Sequence, residues 1–154
     1  MDFVFRPCAM IVAAILLALA SPAAHAASEA QQEANRKVVL DFYEKGLNQK
    51  DADAAIALMG DRYVQHNPNA ADGPEGFRKF IDFLRDRFPN SHGEIKRSFV
   101  DGDCVILHVH AVREPGSRGS AIVDIFKLEN GKIVEHWDVV QAIPENPANS
   151  NTMF

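Results

Sequence analysis

Three residues near the end of the chain, Asp124, His136 and Asp138, have the types and spacing for acid/base chemistry. Asp124 lies in a segment of strand-like alternation, where Ile122 and Phe126 share its face. An aspartate among apolar side chains is poorly hydrated, which raises the pKa of its carboxyl and suits it to proton transfer. His136 and Asp138 share one face of the next apolar segment. The pattern predicts two carboxylates and an imidazole that move protons on a small molecule.

The same three residues also fit a structural role. Buried Asp and His side chains in sheets often only satisfy each other or a loop amide. Trp137 falls on the opposite face from His136 and Asp138 unless a bulge intervenes. The residues alone therefore leave catalysis and a structural role open.

A second candidate site is the pair His108 and His110, two residues apart in one strand-like segment. Alternate residues of a strand face the same side, and sheet proteins present imidazoles to zinc in this way. Asp124, His136 or Asp138 would supply a third ligand. Two histidines on the less buried face of a strand at a subunit interface are the commoner arrangement, and we predict no bound metal.

Hydrophobic periodicity and turn signals predict the helices that position these residues. Apolar residues at three- and four-residue spacing indicate a first helix over 28–48. Asp51 caps a second helix that runs through Met59, where Gly60 ends it. Gly73-Pro74 opens a third helix, which Pro89 stops.

After the third helix the period becomes strand-like. The predicted strands cover 94–100, 104–114, 120–129 and 132–143, and Asn130-Gly131 is a strong signal for a two-residue hairpin turn. Helices first and antiparallel strands afterwards predict an α+β fold, in which three N-terminal helices pack on one side of a curved, mostly antiparallel sheet. The concave side of such a sheet can hold a pocket.

The first 26 residues have the pattern of a signal peptide. Arg6 gives a positive start, residues 8–20 are apolar, and Ala24-His25-Ala26 is a small-x-small cleavage box. The apolar run is shorter than the roughly 20 residues of a bilayer-spanning helix, so we expect removal of residues 1–26 and no membrane contact afterwards. The mature protein would be periplasmic or secreted, with one domain over 27–143 and a loosely ordered tail over 144–154.

The composition narrows the partners of the mature protein. A formal net charge of −5 and the lack of any basic run argue against nucleic acid and anionic lipid surfaces. Cys104 is the single cysteine beyond the predicted signal peptide, so no internal disulfide can form. Stability must then come from core burial, an oligomer interface, or both.

Four segments of the chain carry a family resemblance. They are 63–68 (YVQHNP), 72–76 (DGPEG), 101–105 (DGDCV) and 123–141 (VDIFKLENGKIVEHWDVVQ). In this order they resemble the SnoaL-like proteins of the nuclear transport factor 2 superfamily. The last segment is the most specific, because it joins a strand, a Gly-Lys-Ile hairpin and the run Glu-His-Trp-Asp.

The resemblance implies a cone-shaped α+β barrel and a homodimer or homotetramer built through the sheet. Characterised members include polyketide cyclases that close a ring by intramolecular aldol condensation, without metal or organic cofactor. By its place in the His-x-Asp motif, Asp138 matches the acid/base aspartate of those enzymes. Asp124 stands at a position where those enzymes often have histidine. This difference departs from the cyclase pattern but does not affect the predicted pocket. His66 and Asn67 match the polar entry of the pocket, and Tyr63 in the same segment is predicted to bind substrate with them.

We therefore predict a SnoaL-like small-molecule pocket protein without a cofactor, in which Asp138 removes a proton alpha to a carbonyl and Asp124 holds a second proton. His66, Asn67 or His136 would donate hydrogen bonds to the enolate oxygen. An aldol cyclase, isomerase or lyase fits this description, as does a hydrolase that activates water. The alternative is a non-catalytic binding protein for a small hydrophobic ligand. In either case the inward-pointing aromatic residues would line the pocket, and the candidates are Phe77, Phe80, Phe126 and Trp137.

Overall fold

The computed structural model describes residues 28–154, so the predicted signal peptide lies outside the described residues. The elements in chain order are α1 (Glu29–Tyr43), a π-helical turn (Glu44–Asn48), α2 (Ala52–Ile56), β1 (Met59–Gln65), α3 (Gly73–Arg87), β2 (His92–Asp101), β3 (Cys104–Val112), β4 (Ser120–Glu129) and β5 (Lys132–Ala142). The predicted α+β class, with three helices packed on a curved sheet, is confirmed. No helix between residues 28 and 154 has the length and apolar character to cross a membrane.

The second helix is shorter than the sequence pattern predicts. It ends at Ile56, and Met59 and Gly60 already belong to β1. The cause is a tertiary contact: Met59 is buried opposite Ile133, and the Ile133 N–H donates a hydrogen bond to the carbonyl of Leu58 at 3.0 Å. Pairing with a strand far along the chain overrides the local helical pattern.

The five strands form one sheet in the order β1-β5-β4-β3-β2. Strands β2 to β5 pair antiparallel in chain order, whereas β1 joins the edge parallel to β5. The predicted hairpin turn at Asn130-Gly131 joins β4 and β5, and both residues have positive φ, 52° and 73°. This left-handed pair fits the turn type that matches the twist of a hairpin.

The sheet has an inner face toward the helices and an outer face away from them. On the inner face Leu107, Asp124 and Asp138 are direct partners across β3, β4 and β5. The core lies between this face and the helices. Its buried members include Val39, Phe42, Ile81, Leu84, Val105, Leu107, Val109, Phe126 and Leu128.

The tail after β5 contains no helix or strand. Its last residue returns to the outer face of the sheet, where the Phe154 ring lies 5.3 Å from the ring of His108 and 4.7 Å from that of His110. The tail therefore covers part of the outer face at β3.

Candidate active site

A cavity of about 1000 Å³ lies between the helices and the inner face of the sheet. Its size is that of a site for a drug-sized or polycyclic molecule. Seven aromatic residues line it: Phe42, Tyr43, Tyr63, Phe77, Phe80, Phe83 and Phe126. Its polar side chains converge from β1, β4, β5 and the loop after β1: Gln65, Asn67, Asp124, His136 and Asp138.

Asp124 and His136 form a buried pair at the bottom of this polar group. The His136 Nε2 lies 3.1 Å from the Asp124 Oδ1, and both residues are less than a tenth exposed. The other oxygen, Oδ2, is buried and has no hydrogen-bond partner among residues 28–154. Burial is the main cause that raises the pKa of Asp124, the nearby Asp138 carboxylate adds to it, and His136 opposes it.

Gln65 holds the opposite edge of the His136 ring. The Gln65 Oε1 accepts a hydrogen bond from the backbone N–H of Asn67 at 2.9 Å and lies 3.0 Å from the His136 Nδ1. An oxygen at this place requires a proton on Nδ1, so the ring presents Nε2 to Asp124. A bare Nε2 cannot face a bare carboxylate oxygen at hydrogen-bond distance, because both would be acceptors. The Asp124–His136 pair therefore shares one proton.

Asp138 is the carboxylate of the group that faces the open cavity. Its two oxygens accept from the Asn67 Nδ2, at 2.7 Å and 2.8 Å. The orientation of the Asn67 amide is fixed, because its Oδ1 accepts from the backbone N–H of Asn69 at 2.8 Å. Asp138 is half-buried and stays accessible from the cavity.

Two tyrosines, Tyr43 and Tyr63, also line the cavity. Burial raises the pKa of Tyr43 and of Tyr63, and the Asp124 charge is a further cause for both. The Tyr63 oxygen accepts from the Gln65 Nε2 at 3.3 Å. Its O–H has no acceptor within the described part of the chain, so a neutral phenol can donate into the cavity.

The structure brings seven of the predicted site residues to this cavity and leaves two outside it. Those that line it are Tyr63, Asn67, Phe77, Asp124, Phe126, His136 and Asp138. The placement of His66 and Trp137 in the pocket is wrong. Their rings stack on each other with centroids 4.3 Å apart, and the His66 Nε2 lies 3.3 Å from the Glu135 Oε2. Both side chains occupy the outer face, because strand alternation turns them away from Gln65 and His136.

The His108–His110 metal hypothesis is also wrong in its geometry. His108 pairs with Val123 and so lies on the outer face, while Asp124 lies on the inner face. A sheet separates the two histidines from each acidic residue proposed as a third ligand. The His110 Nε2 instead lies 2.8 Å from the backbone carbonyl of Arg118.

One ligand atom from each of Asp124, His136 and Asp138 lies within 4.8 Å of the others. In this group the imidazole and both Asp138 oxygens already take part in hydrogen bonds within the protein. Hydrogen-bonded neighbours of this kind can pass a proton from one to the next.

Several polar lining residues were missing from the sequence prediction, and Gln65 and Tyr43 are two of them. Gln65 had a signal: in a strand it shares a face with Tyr63, and the same alternation excludes His66. Tyr43 had none, because a tyrosine on the apolar stripe of a helix has the pattern of a core residue.

Comparison with known proteins identifies the family. A family model, the SnoaL-like domain, matches residues 39–136, which include most of the fold and the Asp124–His136 pair. The chain belongs to the SnoaL-like family. A comparison of this SnoaL-like protein with curated protein sequences returns no significant match.

Solved structures share the fold of this SnoaL-like protein. A candidate polyketide cyclase from Bacillus cereus has 20% identity and a TM-score of 0.65, with 74% of this chain and 78% of that one covered. A nuclear transport factor 2-like protein of unknown function from Mesorhizobium loti has 17% identity and a TM-score of 0.62, with 75% and 98% covered. An uncharacterised cystatin-fold protein from Novosphingobium aromaticivorans has 24% identity and a TM-score of 0.59, with 68% and 97% covered. At such identities the likeness shows the fold alone.

Proposed function

We propose that this SnoaL-like protein is an acid/base enzyme that needs no cofactor and removes a proton alpha to a carbonyl group of a small apolar molecule. One observation carries the proposal. The accessible carboxylate of Asp138 and the proton-sharing pair Asp124–His136 lie side by side in one largely apolar cavity. Neighbouring titratable groups with different environments divide the roles of acid and base between them.

Asp138 is the general base in this proposal. It is reachable from the cavity, and the Asn67 amide holds both of its oxygens, which fixes the carboxylate in one orientation. The C–H bond of the substrate breaks, the proton goes to a carboxylate oxygen, and the electron pair moves onto the carbonyl oxygen as an enolate.

The enolate oxygen would receive a hydrogen bond from the Tyr63 hydroxyl, whose O–H is free to donate into the cavity. This donor replaces His66, which lies on the outer face, and Asn67, whose amide nitrogen is committed to Asp138.

The enolate then has two routes that keep the protons balanced. In an isomerase or exchange reaction, Asp138 returns the proton to carbon. In an aldol cyclisation, the enolate carbon bonds to a second carbonyl carbon, and the alkoxide formed takes the proton of the Asp124–His136 pair. Asp138 then passes the proton that it removed to this neighbouring pair, which restores the enzyme. A candidate polyketide cyclase from Bacillus cereus among the structural neighbours supports this second route as a hypothesis.

The proposal predicts that the protein catalyses hydrogen–deuterium exchange at the alpha carbon of a bicyclic ketone such as 2-tetralone, measured by proton NMR in deuterium oxide. Asp138→Asn should lower the exchange rate by about 10²- to 10⁴-fold, the usual contribution of a positioned general base. Asp61→Asn makes the same chemical change at an exposed residue of β1 outside the cavity and should leave the rate unchanged. Undiminished exchange in Asp138→Asn would remove Asp138 from this role.

The second candidate function is binding of a hydrophobic ligand without chemistry. The aromatic wall of the cavity favours it, because five phenylalanines line the space: Phe42, Phe77, Phe80, Phe83 and Phe126. This function predicts tight binding of 2-tetralone with equal affinity in the wild type and in Asp138→Asn, and no exchange above the rate in buffer for either.

A further inference from the structure

Two cations at the rim of the cavity have no acidic partner within residues 28–154. Lys79 on α3 and Arg113 after β3 both line the cavity, and neither takes part in an ion pair there. Their neighbours behave differently: Arg78 pairs with Asp53 at 2.7 Å, and Arg118 lies 3.7 Å from Glu145. The positive charge of the rim is therefore not neutralised by the protein itself.

Arg113 is held in place across the mouth of the cavity. It continues the inner-face row of β3 beyond Ala111, and its guanidinium lies over the ring of Phe88 at 5.6 Å. The contact with this ring at the end of α3 already restricts the Arg113 side chain. It therefore loses less conformational freedom on binding a ligand than a fully solvated arginine side chain would lose.

Hydroxyl groups accompany Arg113 at this end of the cavity. Ser117 and Ser120 line the same part of the cavity, and their hydroxyls have no hydrogen-bond partner among the described residues. Guanidinium, ammonium and hydroxyl donors together are the groups that bind a carboxylate or phosphate.

The rim and the acid/base group lie at opposite ends of an apolar passage. Ser120 and Asp124 share the inner face of β4, and four residues of strand span about 13 Å. Ile122 stands between them on the same face, and Phe80 and Phe83 of α3 line the cavity. An anionic group would be repelled by the Asp138 carboxylate at one end and attracted at the other, so charge fixes the direction in which a ligand enters.

We propose that the ligand of this cavity is an organic anion, an apolar ring system with a carboxylate or phosphate at the rim end, where Arg113 binds it and Lys79 of the cavity wall adds positive charge. The position of the reacting carbonyl at the opposite end rests on the proposed function above. Binding of the anion at the rim does not depend on that function.

The test is titration calorimetry with matched naphthalene probes: 2-naphthoate, its neutral isostere 2-naphthamide, and 2-naphthyl phosphate. At low ionic strength 2-naphthoate should bind about 3- to 10-fold more tightly than 2-naphthamide, the range expected when partly exposed cations meet one anion. The preference should shrink at high ionic strength. If 2-naphthyl phosphate binds more tightly, the anionic group of the natural ligand is a phosphate. If 2-naphthoate binds more tightly, that group is a carboxylate.

Variants of the rim residues show which side chains cause the tighter binding of 2-naphthoate. Arg113→Gln and Lys79→Gln should each reduce the ratio of carboxylate to amide affinity and leave the affinity for 2-naphthamide unchanged. Arg87→Gln is the matched control, because Arg87 is an exposed cation of α3 that does not line the cavity. Asp138→Asn should keep the preference, which separates failure of the anion site from failure of the proposed chemistry. Equal affinity for 2-naphthoate and 2-naphthamide, or a preference untouched by Arg113→Gln, overturns the proposal.

Discussion

The free oxygen of Asp124 has an energetic consequence at the scale of one residue. A buried carboxylate oxygen without a hydrogen-bond partner is costly when ionised, and burial raises the pKa of this group above its ordinary value of 3.8. The folded protein therefore binds the Asp124 proton more tightly than the unfolded chain does. A preference of this kind links the stability of the fold to pH.

The sign of this link follows from the direction of the shift. Because the folded-state pKa is raised, the stabilisation from the Asp124 proton is fully present below the unfolded pKa and is lost as pH rises through the folded pKa. Asp124→Asn places an uncharged amide at the site, whose N–H can donate to the His136 Nε2 and which loses no proton. We expect the unfolding free energy of Asp124→Asn minus that of wild type to increase with pH, by at most about 1.4 kcal/mol per pH unit.

Urea unfolding followed by the fluorescence of Trp137, at intervals from about pH 4 to about pH 8, measures this difference. Asp61→Asn again serves as the control, because it makes the same chemical change at an exposed residue outside the cavity. A difference that is flat or falls with pH for Asp124→Asn would contradict the buried, proton-holding role of this residue.

Strand alternation explains how far the sequence could define the site. It placed Asp124, His136 and Asp138 on one face, because residues two apart in a regular strand share a side. In β1 the same alternation turns Gln65 toward the inner face with Tyr63 and His66 toward the outer face. Tyr43 comes from a helix, and only the packing of α1 over the sheet shows that this residue lines the cavity.

At the scale of elements, the loop before α3 and the first turns of that helix form one wall of the cavity. Gly76 lies in this helix with its Cα against the backbone carbonyl of Ala71, so closely that a Cβ would collide with it. Ala70 and Ala71 line the cavity, and the close approach of helix and loop therefore sets the position of this wall.

Gly76→Ala tests that contact, because two effects oppose each other. Alanine in a helix interior is favoured over glycine by about 1 kcal/mol. The collision involves backbone, which cannot rotate away, and overpacking of this kind costs about 1–3 kcal/mol. We expect a net loss of unfolding free energy in urea titrations, together with weaker binding of 2-tetralone.

Gly102→Ala provides the comparison for that measurement. A Cβ at Gly102 would meet no atom within 4 Å, so its cost comes only from the positive φ of 59°. This variant should lose stability without any change in ligand binding. A stabilised Gly76→Ala protein would show that the loop moves freely and does not define the cavity wall.

The order of α3 and strands β2 to β5 was readable from the sequence, because the helical period changes to a strand period at Pro89. The boundary between α2 and β1 was not. Met59 continues a local helical pattern, and its partner Ile133 lies far along the chain. A parallel edge strand of this kind is stabilised by a contact that no local window contains.

At the scale of the whole molecule, the outer face of the sheet carries an apolar surface that we call the outer patch. Its first row runs across four strands through Phe99, Ile106, Ile125 and Trp137, which are successive register partners. Val123 and Val139 form the next row with His108, and the tail residue Phe154 borders it. Phe99 is 54% exposed and Val139 70%. Contiguous apolar surface of this extent marks an association site in soluble proteins.

We propose that the outer patch joins two copies of this chain, as the family resemblance implies. Two sheets packed face to face can bury the apolar rows of the outer patch against each other. No backbone N–H or C=O group loses a partner, because these groups already form hydrogen bonds within each sheet. The active-site cavity opens on the inner face, so each copy would keep its own cavity accessible.

Val139→Lys places a charge in the middle of the outer patch and should convert the oligomer to a monomer, because an unpaired ammonium group would be buried in the contact. Sedimentation velocity over a range of concentrations measures the change. Phe83→Lys introduces the same charge at an apolar residue that is 45% exposed on the helix side, and it should leave the oligomer intact. Since the outer patch is separated from Asp138 by the thickness of the sheet, the monomer should retain alpha-proton exchange. A wild-type protein that sediments as a monomer at every concentration would remove the outer patch as a self-association surface.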